Sequence, residues 1–286
     1  MLVAVGNVDV NSLLDGMLLM AKDQNSIHEL NKKQGRGSWK HGDGWGTAYL
    51  DKNGEWVIKK STKAIYEDPE IEDLRNLKTN LFILHTRFKM GSETSTHNTH
   101  PFRFDKENGE TFVFCHNGFI DEEIDYDKKY ELKGDTDSEK LFYSILTDLK
   151  RSNVTKAIRK NLKRYKKLTG TNIILSTKKN TIVATRKNKF PKYYQMSLGR
   201  TKDMIVVSSE QFNTNHSIFW EPLNQGDIIN INNKKIEAKI SREILKEKKH
   251  LKHKFGSLFG IFSKNVKKNN TNLVTYQDNN KISDGN

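Results

Sequence analysis

The stretch TFVFCHNG, residues 111–118, begins as an apolar strand and ends in polar side chains. Phe112 to Phe114 are typical of a strand buried in a core, and His116, Asn117 and Gly118 follow directly. The stretch LFILHTR, residues 81–87, has the same form. Polar groups at the ends of buried strands are a common location for function, because the sheet holds them rigidly. We therefore expect a functional site at these strand ends.

Other segments show the apolar runs of strands, and three show the period of amphipathic helices. The predicted helices cover 11–21, 136–149 and 154–168, and Gly170 follows the last as a helix terminator. The predicted strands are 1–5, 46–50, 55–59, 81–87, 111–118, 172–177, 181–186, 204–209, 227–232 and 235–240. The order along the chain is strands with an early helix, then two helices, then strands again. This order predicts two sheets packed face to face with helices outside.

The composition is that of a globular protein, with 35% hydrophobic residues in a chain of 286. No apolar run approaches the roughly 20 residues of a membrane-spanning helix. The start of the chain lacks the basic, apolar and small residues, in that order, of a signal peptide. The single cysteine, Cys115, suits a reducing compartment. We therefore expect a cytoplasmic protein without a membrane span.

The net charge of +14 would suit a nucleic acid or an anionic surface as a partner. Half of this charge lies in 241–268, and aromatic side chains do not alternate with the lysines as a stacking platform requires. We expect a globular domain over 1–240 and a basic, partly helical to disordered tail over 241–286. We expect no specific nucleic-acid partner, and any binding should be electrostatic and due to the tail.

The polar residues near the strand ends carry complementary chemical groups. Asn117 supplies an amide donor beside the unobstructed backbone N–H of Gly118, which is the minimum for an oxyanion hole. Arg87 presents a planar guanidinium suited to a carboxylate. In GDTDSE, residues 134–139, a capping-box pair starts a helix and leaves the carboxylate of Asp137 for a cation such as an ammonium. Together these groups indicate a receptor for an amino acid whose side chain is hydrolysed.

Five short motifs occur in order between residues 41 and 139: HGDGWGTAYL, HTR, NTHPF, HNG and GDTDSE. In this order they resemble the class II glutamine amidotransferase domain, a member of the N-terminal-nucleophile hydrolase fold. The later strand segments resemble that family's second sheet, so the likeness covers most of 1–240. The resemblance implies an α+β fold, a four-layer αββα sandwich of two mainly antiparallel sheets with helices on both outer faces.

The resemblance also implies a role for each matched residue. Arg87 would bind the α-carboxylate of glutamine, and Asp137 would bind its α-ammonium. Asn117 and Gly118 would form the oxyanion hole. His100, in NTHPF, matches a histidine near the family's glutamine pocket.

Two further features concern the surroundings of this pocket. Asp43 and Gly46 resemble the family's glycine turn beneath the site, so we expect them to be scaffold. The residues between Arg87 and Gly91 are Phe-Lys-Met, a shorter stretch than is usual in relatives. We therefore expect a differently shaped loop beside the substrate.

The family's mechanism needs a cysteine at the mature N-terminus, whose thiol attacks the amide while its α-amino group, with a pKa of about 8, accepts the proton. This chain begins with Met1 and Leu2. Cys115 should point to the face of its strand opposite His116 and has no free α-amine, so we expect it to be a packing residue. Our hypothesis is that Met1 is an internal methionine, with the cysteine two residues upstream. The alternative is a homologue that lost the nucleophile and binds glutamine or serves as a scaffold.

Other functions suit parts of the same sequence. The histidines at 41, 85, 97, 100 and 116 match no compact zinc pattern, so we expect neither a metal nor another cofactor. A γ-glutamyl amide other than glutamine would suit the same receptor. No synthase domain is recognisable, so we expect ammonia to be released or to pass to an acceptor enzyme on a separate chain.

Overall fold

The computed structural model describes residues 1–24, 39–186, 189–211 and 217–242. The helices are α1 (Val10–Ala21), α2 (Asp137–Leu149) and α3 (Val154–Arg164), with a short 3₁₀ helix at Pro69–Leu74. The strands are β1 (Leu2–Gly6), β2 (Trp45–Leu50), β3 (Trp56–Ser61), β4 (Leu81–Thr86), β5 (Phe102–Asp105), β6 (Thr111–Ile120), β7 (Leu168–Ser176), β8 (Asn180–Ala184), β9 (Ser197–Arg200), β10 (Met204–Ser208), β11 (Phe219–Pro222), β12 (Ile228–Asn232) and β13 (Glu237–Ser241).

The strands form two antiparallel sheets. The first has the order β11-β9-β10-β1-β4-β2-β3, and the second has the order β13-β12-β8-β7-β6-β5. β1 lies in the middle of the first sheet and pairs antiparallel with both β4 and β10. The prediction of an α+β fold with two mainly antiparallel sheets is confirmed.

The two sheets share a buried apolar layer, because alternate side chains along each strand point to the same face. Val3, Val5 and Ile83 of the first sheet belong to one cluster with Cys115 and Ile174 of the second. Cys115 is fully buried in this layer, as the alternation predicted. The opposite faces of the sheets are therefore available to the helices.

The outer faces of the sheets contact the helices. Leu13 and Met17 of α1 belong to one cluster with Leu2 and Phe82 of the first sheet. On the second sheet, Phe114 of β6 stacks on Phe142 of α2, with ring centroids 4.9 Å apart and the rings nearly parallel. Stacked and offset aromatic pairs of this kind contribute about 0.5–1.5 kcal/mol beyond their buried area.

The first turn of α2 is held by side-chain hydrogen bonds. Thr136 Oγ1 accepts from the backbone N–H of Glu139 at 3.2 Å, as the predicted capping box requires. The carboxylate of Glu139 accepts instead from the N–H groups of Lys133 and Gly134, both at 2.9 Å. Glu139 therefore fixes the loop before the helix, and the start of α2 is held in place.

The predicted helix over 154–168 is wrong at its C-terminal end. α3 ends at Arg164, because Tyr165 has an extended backbone and its hydroxyl lies 2.9 Å from Ser144 Oγ of α2. Gly170 does not terminate a helix and lies within β7. A side chain there would collide with the ring of Tyr194, since a Cβ atom would lie 2.6 Å from it.

Three short strands, β5, β9 and β11, are absent from the prediction. Each has four residues, too few for an alternation to be recognised in the sequence. They form because a neighbouring strand offers unpaired backbone groups, as when β9 pairs with β10 over Ser197–Arg200. Tertiary pairing, rather than local composition, therefore determines these segments.

The C-terminal residues 243–286 lie outside the described residues, and with them lies almost all of the predicted basic tail. The boundary near residue 240 therefore stays a prediction. Among the described residues, no helix combines the length and the apolar character needed to cross a membrane.

We predict that Gly170→Ala lowers the free energy of unfolding by about 1–3 kcal/mol, because the new methyl group must displace the Tyr194 ring. Urea denaturation measures this change. Gly42→Ala is the matched control, since the nearest atom to a Cβ there is the Tyr66 hydroxyl at 3.3 Å, and its effect should stay below about 1 kcal/mol. Equal stability of Gly170→Ala and wild type would contradict this packing.

Candidate functional site

A cavity of about 630 Å³ opens where β1 begins, β4 and β6 end their apolar stretches and α2 starts. All five residues predicted for the site line it: Arg87, His100, Asn117, Gly118 and Asp137. They come from separate parts of the chain, so the fold rather than local sequence brings them together.

Arg87 presents a buried guanidinium to this cavity. Its Nη1 donates to the backbone oxygen of Asp43 at 3.2 Å, and its Nη2 donates to Ser92 Oγ at 2.7 Å and to Glu93 O at 2.9 Å. Burial lowers the pKa of Arg87, although the charges of Asp43 and Asp135 oppose this shift. No carboxylate forms an ion pair with Arg87 in the described part of the chain. An anionic ligand would therefore supply the missing counter-charge.

The same contacts hold the loop that follows Arg87. Ser92 and Glu93 are fixed by the guanidinium, and the backbone N–H of Lys89 donates to Asp43 Oδ2 at 3.0 Å. The loop that contains the short Phe-Lys-Met stretch is therefore tied to Arg87 and Asp43. This contact is consistent with the predicted scaffold role of Asp43.

Asn117 and Gly118 lie in β6 opposite Asn172 and Thr171 of β7. Asn117 is half-buried and lines the cavity, and its amide makes no hydrogen bond to another described residue. Only glycine fits at 118, because a Cβ there would lie 1.8 Å from the backbone oxygen of Gly170. The side-chain amide and the bare backbone N–H can therefore face a ligand together.

Asp137 is the first residue of α2 and faces the cavity. Its Oδ2 accepts from the backbone N–H of Ile120 at 2.9 Å and lies 3.9 Å from Nδ1 of His116. The carboxylate is thus partly engaged, whereas the sequence suggested that it is free. Its remaining lone pairs, on a side chain 18% exposed, can accept from an ammonium group.

Three histidines form the polar floor of the cavity. The rings of His85 and His100 are 4.2 Å apart, and His116 Nδ1 lies 2.9 Å from Ser138 Oγ. Burial lowers the pKa of all three, most strongly at His85 and His100. Within the described residues, buried ring nitrogens of each histidine have no hydrogen-bond partner. These nitrogens are buried beneath the cavity surface, so the three imidazoles form a neutral floor.

The first residue of the chain also lines the cavity. Met1 N lies 3.0 Å from Ser209 Oγ, and burial lowers the pKa of this amino group to about 5. The thiol of Cys115 does not line the cavity, and burial raises its pKa to about 12. Cys115 is therefore a poor nucleophile, because only the thiolate attacks efficiently.

Gly46 packs beneath the site, since a Cβ there would lie 2.1 Å from the backbone oxygen of His100. This close approach sets the position of the His100 loop relative to β2, as the predicted scaffold role requires. In the described residues, no group of three His, Cys, Asp or Glu side chains is arranged to hold a metal ion.

The sequence analysis missed several residues that line the cavity. They include Ser209, which contacts Met1, and the aromatic residues Trp39, Tyr193 and Tyr194. Ser138 could have been noticed, because it follows Asp137 in GDTDSE. The tyrosines follow a lysine in a loop without any recognisable motif.

Comparison with known proteins identifies the family. The family model described as Glutamine amidotransferases class-II matches residues 17–188. The chain belongs to the class II glutamine amidotransferases. The resemblance predicted from the five motifs is thereby confirmed.

Curated relatives share part of this chain. An uncharacterized protein of Methanocaldococcus jannaschii is 34% identical over 118 residues, which are 40% of this chain and 32% of that protein. A glutamine–fructose-6-phosphate aminotransferase of Francisella tularensis is 32% identical over 119 residues, 40% of this chain and 18% of that enzyme. The matched region thus spans a third or less of these relatives.

Solved structures share the fold of the class II domain. The phosphoribosylpyrophosphate amidotransferase of B. subtilis superposes with a TM-score of 0.57 at 19% identity, over 84% of this chain and 48% of that one. A predicted glutamine amidotransferase of Pseudomonas aeruginosa has a TM-score of 0.53 at 16% identity, over 81% of this chain and 96% of that one. The match covers almost all of the Pseudomonas aeruginosa chain, so that chain contains little besides this fold.

We predict that buried His100 makes stability fall at acidic pH. The unfolded chain binds a proton at His100 near its ordinary pKa of 6.5, whereas the folded chain does so only at a much lower pH. Between pH 6.5 and 5, wild type should therefore lose up to about 1.4 kcal/mol per pH unit more than His100→Gln. Denaturant unfolding measures both slopes, and data at pH 8 give the pH-independent cost of the substitution. Parallel slopes would contradict a neutral, buried imidazole.

Proposed function

We propose that this chain binds glutamine and hydrolyses its side-chain amide to glutamate and ammonia. The observation that carries the proposal is the buried Arg87 guanidinium, without a carboxylate partner among the described residues, in the same cavity as the Asp137 carboxylate. An α-amino acid presents the complementary pair of charges. The adjoining amide donors of Asn117 and Gly118 suit the carbonyl of an amide side chain.

In this proposal each residue has one role. Arg87 binds the α-carboxylate, and Asp137 binds the α-ammonium. These two contacts together fix the orientation of the substrate. Asn117 and Gly118 donate to the oxygen that becomes negative when the carbonyl carbon turns tetrahedral. His100 lies on the neutral floor of the cavity, beside the proposed substrate.

The attacking group is a cysteine thiol that precedes Met1 in the proposed active form. Its sulfur bonds to the carbonyl carbon, and the amide nitrogen leaves as ammonia with the proton of the thiol. Water then cleaves the thioester to give glutamate. Met1 lines the cavity directly before β1, and two preceding extended residues would reach about 7 Å further. Intact mass of the protein isolated from its own host tests this directly.

The second candidate is a glutamine-binding homologue without a nucleophile. The described chain favours it in one respect, since the thiol of Cys115 is buried between the sheets and protonated. An intact mass that corresponds to a chain beginning at Met1 would support this candidate. An intact mass that corresponds to a chain with a cysteine upstream of Met1 would support the enzyme.

Ammonia needs an acceptor if this domain serves a synthesis. The relative from Francisella tularensis is named as an aminotransferase acting with fructose 6-phosphate, and the matched region is a small part of it. We propose that an acceptor-binding synthase, if one is used, acts as a separate chain. Copurification from the host with a synthase, and ammonia transfer between them, tests this partner.

We predict that Asp137→Asn weakens glutamine binding about 10- to 100-fold, because a charge-assisted hydrogen bond to the α-ammonium is lost. Asparagine keeps an oxygen for the N–H of Ile120, so the start of α2 should stay intact. Titration calorimetry with L-glutamine measures the loss.

Glutaramate, which is glutamine without the α-amino group, is the matched ligand for this test. Its affinity should change less than about threefold in the same variant, because it has no ammonium for Asp137 to bind. An equal loss for both ligands would assign Asp137 a structural role.

We also predict that Asn117→Ala lowers turnover about 10²- to 10³-fold in a chain that carries the N-terminal cysteine, with little change in KM. Asn180→Ala, at an exposed position in β8 away from the cavity, is the control. Glutamate formation measured in a coupled assay reports both variants. Wild-type turnover in Asn117→Ala would show that another group stabilises the oxyanion.

A further inference from the structure

The cavity is larger than glutamine needs. Pockets of about 300–1,000 Å³ hold ligands of drug size, whereas glutamine has only about ten non-hydrogen atoms. At about 630 Å³, the cavity leaves unused space once an amino acid is bound between Arg87 and Asp137. The residues around that space therefore indicate what else enters.

Four aromatic side chains form a continuous arc along the cavity, here called the aromatic arc: Trp39, Phe88, Tyr193 and Tyr194. The ring centroids of Phe88 and Trp39 are 5.4 Å apart, those of Trp39 and Tyr193 are 5.8 Å apart, and those of Tyr193 and Tyr194 are 4.8 Å apart. Phe88 and Tyr193 are half-buried, so part of each ring is open to a ligand.

The arc joins the two ends of the proposed glutamine site. Phe88 directly follows Arg87, the proposed carboxylate anchor. At the other end, Tyr194 packs on Gly170, and the backbone of Gly170 packs on Gly118 of the proposed oxyanion hole. A group attached to the amide nitrogen would thus leave the oxyanion hole beside the arc.

The arc is held in place before any ligand binds. The backbone N–H of Trp39 donates to Asp23 Oδ2 at 2.8 Å. Tyr194 is held at both ends, since its hydroxyl lies 2.8 Å from Thr169 Oγ1 and its backbone oxygen accepts from Asn172 Nδ2 at 3.0 Å. A preformed aromatic surface binds a planar ring at a low entropic cost.

Charges of both signs lie near the arc. Lys89 follows Phe88 and Lys192 precedes Tyr193, and both lysines line the cavity. Lys89 Nζ lies 3.9 Å from Asp43 Oδ1, and the carboxylates of Asp23 and Glu210 also line the cavity, so the two signs of charge offset each other. An uncharged aromatic ring can stack on the arc without needing a counter-charge of either sign.

We propose that the aromatic arc is a subsite for the aromatic amine portion of an N-substituted γ-glutamyl amide. This inference rests on the proposed function, because the γ-glutamyl portion would occupy the site of Arg87 and Asp137. The substrate class is thereby extended from glutamine to γ-glutamyl arylamides. In their hydrolysis the amide C–N bond breaks, the carbonyl carbon gains the hydroxyl of water and the nitrogen gains its proton, which releases glutamate and the neutral aromatic amine.

Binding tests this proposal without any need for the nucleophile. Titration calorimetry on the full chain compares four ligands: L-glutamine, γ-glutamylmethylamide, γ-glutamylcyclohexylamide and γ-glutamylanilide. The anilide should bind at least about tenfold more tightly than the methylamide, because a phenyl ring is buried against the arc. The cyclohexylamide matches the anilide in size but cannot stack, so it should bind more weakly than the anilide.

Substitutions in the arc provide the second readout. Phe88→Leu and Tyr193→Leu should each lower the ratio of anilide to methylamide affinity about three- to tenfold, because the ring contact is lost while apolar volume is kept. Phe219→Leu is the matched control, since Phe219 is 74% exposed on β11 and does not line the cavity. It should leave the ratio unchanged.

The outcomes separate this inference from the function on which it rests. If glutamine binds but the anilide binds no more tightly than the methylamide, the subsite is wrong and the proposed function stands. Equal affinity for cyclohexylamide and anilide, or an unchanged ratio in both arc variants, would equally overturn it. If no γ-glutamyl compound binds, the proposed function itself fails.

Discussion

The position of β1 is the constraint on which the rest of the site depends. β1 pairs with β4 on one side and β10 on the other, so its register is fixed by two sets of backbone hydrogen bonds. This pairing places Met1 in the cavity and Arg87, just beyond the end of β4, beside it. A change of one residue in this register would exchange the two faces of the strand. Met1 therefore cannot move away from the site without loss of this strand pairing.

The electrostatics of the cavity follow from its burial. The guanidinium of Arg87 keeps its charge, whereas burial favours the neutral forms of His85, His100 and the Cys115 thiol. The cavity therefore places the Arg87 guanidinium and the Asp137 carboxylate, among other charged side chains of both signs, above a neutral floor. Such an arrangement favours a zwitterion whose reactive end is uncharged. The aromatic arc adds an apolar wall, which extends the range of amides beyond glutamine in our account.

Much of this arrangement could be predicted from the sequence, because its signals are local. The apolar run before Asn117 predicted β6, and the cap at Thr136 predicted the start of α2. The end of α3 and the role of Gly170 could not be predicted, since the first depends on the contact of Tyr165 with Ser144 of α2 and the second on Tyr194, which packs from a distant segment. The aromatic arc was missed for the same reason. Its four members come from three separate segments, and no spacing in the sequence relates them.

The most direct test of the central claim is covalent labelling of the protein isolated from its own host with a diazoketone analogue of glutamine, read by peptide mass spectrometry. Such a reagent alkylates a nucleophile that lies next to a bound γ-carbonyl group. Our account predicts one adduct per chain, on a cysteine that precedes Met1, with labelling suppressed by excess glutamine. An adduct on Cys115, or labelling that glutamine does not suppress, would contradict the assignment of this cavity as a glutamine site with an N-terminal nucleophile.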